Sequence, residues 1–200
     1  MGGVEGLVKN AAKQMITSGN LRAMFLGLRG TILMNPEALL KSFVYNEVSK
    51  VKTAVGNQAK LDSIMLHEIV TDLALSLDLE WVFSSYIDLM KNLGTVPGLE
   101  TRNFTYLIRK FRKWHMDIGK VVIAAPFNKI GFQMIPSQKD CEETLASIPG
   151  LTVIAISALA AGYLKPFEAI DYIRAHPKLK GVAIAVSKEE HARDTFKLFK

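Results

Sequence analysis

The chain has 200 residues with one cysteine, is 49% hydrophobic and 22% charged, and carries 25 Lys+Arg against 19 Asp+Glu for a net charge of +6. That apolar fraction excludes disorder along the whole chain, and the length supports a sizeable core. The lone Cys141 excludes a disulfide scaffold and a cysteine-based zinc site. The positive balance is compatible with nucleic acid, an anionic membrane surface or a phosphorylated ligand. Its densest stretch, Arg109-Lys110-Phe111-Arg112-Lys113-Trp114-His115, reads as a solvated helix face, so no nucleic-acid partner is expected.

The N-terminus, Met1-Gly2-Gly3-Val4-Glu5-Gly6, has neither the basic nor the apolar region of a secretory signal. The longest apolar run, Leu151 to Gly162, is too short for a membrane span. A cytoplasmic protein with no membrane partner is the expectation.

Short apolar runs then alternate with longer amphipathic stretches. The predicted strands are Arg22–Leu28, Leu61–Leu66, Thr95–Leu99, Lys120–Ala125, Leu151–Ile156 and Gly181–Val186. The last three are apolar on both faces, as parallel strands are when helices cover one side and packed core the other. Asn35-Pro36-Glu37 predicts a helix start, with Asn capping and Pro in the first turn. Asn46 to Lys60 reads as a helix end and a loop. Ser137-Gln138-Lys139-Asp140 and Ser187-Lys188-Glu189-Glu190 read as capping boxes, and Pro166 opens another helix. Gly94, Gly119 and Gly150 mark helix ends. From Leu61 onward, strands start about every 30 residues, the length of one strand-helix unit. No linker or composition shift divides the chain, so a single α/β domain over 1–200 is predicted, with about six βα units and parallel strands.

In such a fold the working end is the C-terminal end of the strands. The residues there are Arg29 and Gly30, His67 and Glu68, Glu100 to Asn103, Phe127 to Lys129, Ser157 with Ala160-Ala161-Gly162, and Ser187 with Lys188. His67 can donate to a carbonyl, act as acid or base, or cap its strand. The small residues after Ser157 would let backbone amides approach a phosphate, or serve tight packing. Ser187 and Lys188 would hold an anion at a helix start, or merely cap it. His115, His176 and His191 fall on helices or loops and are expected to face solvent. No His/Asp/Glu spacing predicts a metal site.

Taken together these strand ends resemble the aldo-keto reductase family. Lys60 to His67 is similar to the segment that ends the fourth barrel strand in an Asp, an apolar run and the catalytic His. Pro97 to Phe104 resembles the fifth-strand segment, and Ala125-Pro126-Phe127-Asn128 the sixth-strand Pro-Tyr-Asn. Val153 to Gly162 is similar to the seventh strand and its small-residue loop, and Gly181 to Phe196 to the last strand and the cofactor-phosphate helix. The resemblance implies a (β/α)8 TIM-barrel-like fold, N-terminally truncated, in an NADP(H)-dependent oxidoreductase acting on a carbonyl or aldose substrate. It implies His67 as the carbonyl-orienting group and Arg29 as its electrostatic partner. Asn103 and Asn128 would face the nicotinamide, Ser157, Leu159 and Gly162 the pyrophosphate, and Ser187 and Lys188 the adenosine phosphate.

The departures from the family pattern matter as much. Met1 stands where the family has its catalytic Tyr, the first two strands and their Asp are missing, and Arg29 replaces the Lys. A fixed Arg charge still stabilises an oxyanion but cannot exchange a proton usefully. An inactive relative serving as a binding or structural protein is the alternative. A phosphate-binding lyase or isomerase barrel has only Lys129 and Glu100 in its favour. Open sheet edges would be covered by an upstream segment, by the N-terminal helix, or by a second copy in a homo-oligomer.

Overall fold

The computed structural model describes residues 35–56, 59–186 and 188–198. In chain order the described helices and strands are α1 (Pro36–Val55), β1 (Ser63–Leu66), α2 (Glu68–Ser76), α3 (Glu80–Asn92), β2 (Val96–Glu100), α4 (Phe104–Lys113), β3 (Val122–Pro126), α5 (Gln138–Ser147), β4 (Thr152–Ile156), α6 (Pro166–Arg174), β5 (Leu179–Val182) and α7 (Glu189–Lys197). Packing divides them into two compact units: the described part of Met1–Asp62 with Glu80–Thr95, and Ser63–Leu79 with the described part of Val96–Lys200.

The first unit pairs α1 with α3. Asn35 caps α1 by accepting from the Ala38 amide at 3.1 Å, and Pro36 fills the first turn. Glu37 accepts from Lys41 at 2.5 Å. Hydrogen bonds from Lys41 and then from Ser85 of α3 hold the Glu37 carboxyl below the usual carboxylate range. A depressed carboxyl contributes stability that is present above the unfolded-state pKa and is lost as pH falls through the folded one. Acid titration of unfolding should therefore lose this contribution below about pH 4, the ordinary Glu range. In Glu37→Gln the acid limb of the stability curve should be flatter.

The second unit is built on a five-stranded sheet, order β1-β2-β3-β4-β5, with every pair parallel. Right-handed crossovers between sequential neighbours put the connecting helices of this unit on one side. The contacts agree: α2 packs on α4 and α4 on α5. The Tyr172 hydroxyl of α6 donates to Glu142 of α5 at 2.7 Å, and Arg174 donates to the Leu198 carbonyl beyond α7 at 3.2 Å. Under this layer Leu99, Ile123, Val153 and Ala155 are fully buried. On the opposite face Val122, Ile154 and Ile156 are half-buried, and Ala124 and Pro126 are buried. Position 98, paired with Val122, is held by glycine: a Cβ there would stand 2.3 Å from Met65 Sδ and 2.7 Å from the Ile64 carbonyl.

Several expectations shift. The predicted strand at Arg22–Leu28 lies outside the described residues. The last strand is Leu179–Val182, two residues earlier than the apolar run implied. Among the described residues it pairs with β4 alone, and β4 ends at Ile156, shortly after the Ala183 amide reaches the Ala155 carbonyl at 2.8 Å. Asn46–Val55, by contrast, is the end of α1, as expected. Lys188 stands at the cap of α7 and makes no capping bond through its side chain, while Ser187 of the expected capping box lies outside the described residues. Gly119 sits within a short 3-10 turn, and the left-handed residue beyond α4 is His115 at φ 55°.

Candidate functional site at the strand ends

Because the strands are parallel, their C-terminal ends form one edge of the sheet. His67, the Thr101-Arg102-Asn103 turn, Asn128 and Ser157 follow β1, β2, β3 and β4 there in turn. Arg29 and Ser187 lie outside the described residues.

His67 is exposed and caps α2: its Nδ1 accepts from the Ile69 amide at 3.2 Å. That bond requires an unprotonated Nδ1, so the neutral ring carries its proton on Nε2 as a donor. The spacing predicted a strand-end His, and it is at once a helix cap. Its neighbour Glu68 turns away to meet Arg102, which donates through Nε at 2.8 Å and Nη2 at 2.6 Å.

A link that the sequence reading missed lies beside this pair. Asp72, one turn beyond Glu68, accepts from the buried Thr101 hydroxyl and from the Arg102 amide at 3.2 Å. Thr101 in turn accepts from the Asn103 amide at 2.9 Å. Asn103 thus starts α4 with its backbone fixed while its half-buried side chain makes no capping bond. The only sequence signal was two carboxylates four residues apart, which share a helix face.

Asn128 is fully buried and closes its own loop. Its Nδ2 donates to the Phe132 carbonyl and its Oδ1 accepts from the Phe132 amide, both at 2.8 Å. The loop's Lys129 reaches Glu168 at 3.4 Å. The Glu168 carboxyl is held below its ordinary range by the Lys165 amide, which caps α6, and then by Lys129.

After β4 the backbone enters the left-handed region at Ser157 (φ 53°), Ala160 (47°), Ala161 (56°) and Gly162 (91°). Glycine is the residue that tolerates this best, so the run is conformationally costly and tightly fixed. Ser157 donates to Gln133 Oε1 at 3.4 Å. Here the strand ends border an open cavity of about 760 Å³, lined by Ser157, Leu159 and Gly162 on the β4 side, by residues 183–185, by Phe132 and Gln133, and by Glu100 of β2. Three of the predicted cofactor residues therefore share one cavity. His67, Asn103, Asn128 and the exposed Lys188 do not line it.

Other reactive side chains are engaged elsewhere. Cys141 is buried, and burial pushes its thiol up, away from nucleophilic reactivity at neutral pH. Burial and then the Glu142 carboxylate push the Tyr172 phenol up. His176 is half-buried against Tyr172, with ring centroids 4.4 Å apart, rather than facing solvent freely. Among the described residues no cluster of His, Cys, Asp and Glu could hold a metal, and no helix is long and apolar enough to cross a membrane. Comparison with protein-family models, with characterised proteins and with solved structures gives no significant match.

Proposed function

We propose that the chain is an aldo-keto-reductase-like oxidoreductase that binds NADP(H) and a carbonyl substrate at the C-terminal edge of its sheet, as part of a barrel. The observation that carries this reading is the cavity of about 760 Å³ walled by Ser157, Leu159 and Gly162, within the size range of cofactor and small-molecule sites. Sequential parallel strands with their helix layer on one face are also the local geometry of a βα barrel. Small side chains at Ala158 and Ala160–Gly162 leave room for a diphosphate to approach the backbone, and the exposed Lys188 ammonium offers a cation at the start of α7. The bound dinucleotide supplies the hydride. His67 would orient the carbonyl by donating from Nε2, the tautomer that its cap enforces.

A binding protein without turnover is the second reading, and Asn128 favours it. Both ends of its amide are taken by Phe132, which leaves less for a nicotinamide. NADPH fluorescence titration and an aldehyde panel separate the two. Saturable fluorescence change with turnover is the expected result. Fluorescence change without turnover selects the second reading, and no change at high NADPH rejects both dinucleotide readings.

A further inference from the structure

The charge of the cavity wall points to a ligand feature that the dinucleotide does not use. Of the residues that line it, Glu100 alone is ionisable, and its carboxylate forms no ion pair or hydrogen bond with a described residue. It ends β2 in register with Ala124 of β3, and Ala124 in turn with Ile154 of β4. Two strand spacings, about 10 Å, therefore separate the Glu100 backbone from the β4 wall. The rest of the lining is largely apolar, with Phe132, Ile156, Leu159 and Ile184, and its other polar side chains are Gln133 and Ser157.

A half-buried carboxylate in a largely apolar pocket attracts a cation brought to it. A hard metal ion is a poor candidate, because it needs several oxygen ligands and one carboxylate supplies two at most. An organic ammonium suits both parts of the wall. Its charge meets Glu100, its carbon body covers the apolar surface, and the Phe132 ring offers a cation–π face.

We propose that this cavity takes a ligand bearing an organic ammonium group, recognised by Glu100 and Phe132, so that the carbonyl substrate is an amine-bearing one. Its role as a substrate rests on the reductase reading; the ammonium site itself does not. The β4 wall and the Glu100 wall would then serve opposite charges at opposite sides of one cavity.

The test is calorimetric titration of the full chain with phenethylammonium and with 2-phenylethanol, its neutral counterpart, both without dinucleotide. Saturable binding of the ammonium, at least tenfold tighter than the alcohol, is expected. In Glu100→Gln the two should bind within about twofold of each other, and Phe132→Leu should weaken the ammonium about threefold. Equal binding of the two ligands by the native chain, or no binding at millimolar concentration, would overturn the proposal whether or not the variants fold. An undiminished preference in folded Glu100→Gln would overturn it as well. Ammonium binding without any NADPH response rejects the dinucleotide alone, and the converse rejects the ammonium site alone.

Discussion

Asp72→Ala is expected to lower the unfolding free energy by about 2–4 kcal/mol in urea denaturation. The carboxylate accepts two hydrogen bonds across the junction between α2 and the turn after β2, one from the Thr101 hydroxyl and one from the Arg102 amide. A hydrogen bond to a charged group is worth about 1.5–3 kcal/mol, and the two share one acceptor group, so they will not add fully. Removal also leaves the Thr101 hydroxyl proton without its acceptor, in a residue that has no exposure to water. Asp72→Asn keeps one amide oxygen and should lose about half as much. Asp88→Ala is the control: its exposed carboxylate lies 3.8 Å from Lys91, and a surface pair of that kind contributes less than about 1 kcal/mol. Equal losses for Asp72→Ala and Asp88→Ala would show that the junction does not depend on this carboxylate.

The contrast between those two aspartates also marks how far the sequence could be read. The elements were legible where the cause is local. Asn35-Pro36 announces a helix by side-chain capping and a fixed φ, and α1 begins there. The β-branched runs at Leu61, Thr95, Lys120 and Leu151 each became a strand, because a parallel strand buried under helices must be apolar along its length. Gly181–Val186 fits the same pattern, yet its strand covers Leu179–Val182. The run fixes β character, while its ladder partner fixes where pairing stops. The shared edge of His67, Asn103, Asn128 and Ser157 follows from parallel order alone and was equally legible. What each side chain does there was not. The Asp72 bonds span 29 and 30 residues, and no local pattern announces a partner that far away. The pull of Glu68 toward Arg102, and the left-handed turns that carve the cavity, depend likewise on where loops meet.

Asn128→Ala should be about as damaging as Asp72→Ala, for a different reason, and its two-sided bond makes a sharper test. Asn128 has no exposure, and its amide satisfies both the amide and the carbonyl of Phe132. Truncation leaves two backbone groups without that partner and a small void, a cost of about 2–4 kcal/mol. Amide exchange at Phe132 should accelerate along with the drop in urea midpoint. Because Phe132 and Gln133 line the cavity, phenethylammonium binding should weaken too, although Asn128 does not line it. Asn128→Asp then separates hydrogen bonding from packing. Its carboxylate still accepts from the Phe132 amide, but it sets a negative oxygen against the Phe132 carbonyl where Asn128 donated. Protonation restores a donor at that position. Burial and the facing carbonyl both favour the neutral acid, so the folded-state pKa of this carboxyl is raised. A raised carboxyl binds its proton more tightly in the folded state than in the unfolded one, so the deficit of Asn128→Asp relative to the native chain should shrink as pH falls through that raised value. Asn128→Ala should show no such recovery. A constant deficit for Asn128→Asp between pH 8 and pH 5 would mean that the loop is held by packing rather than by the amide.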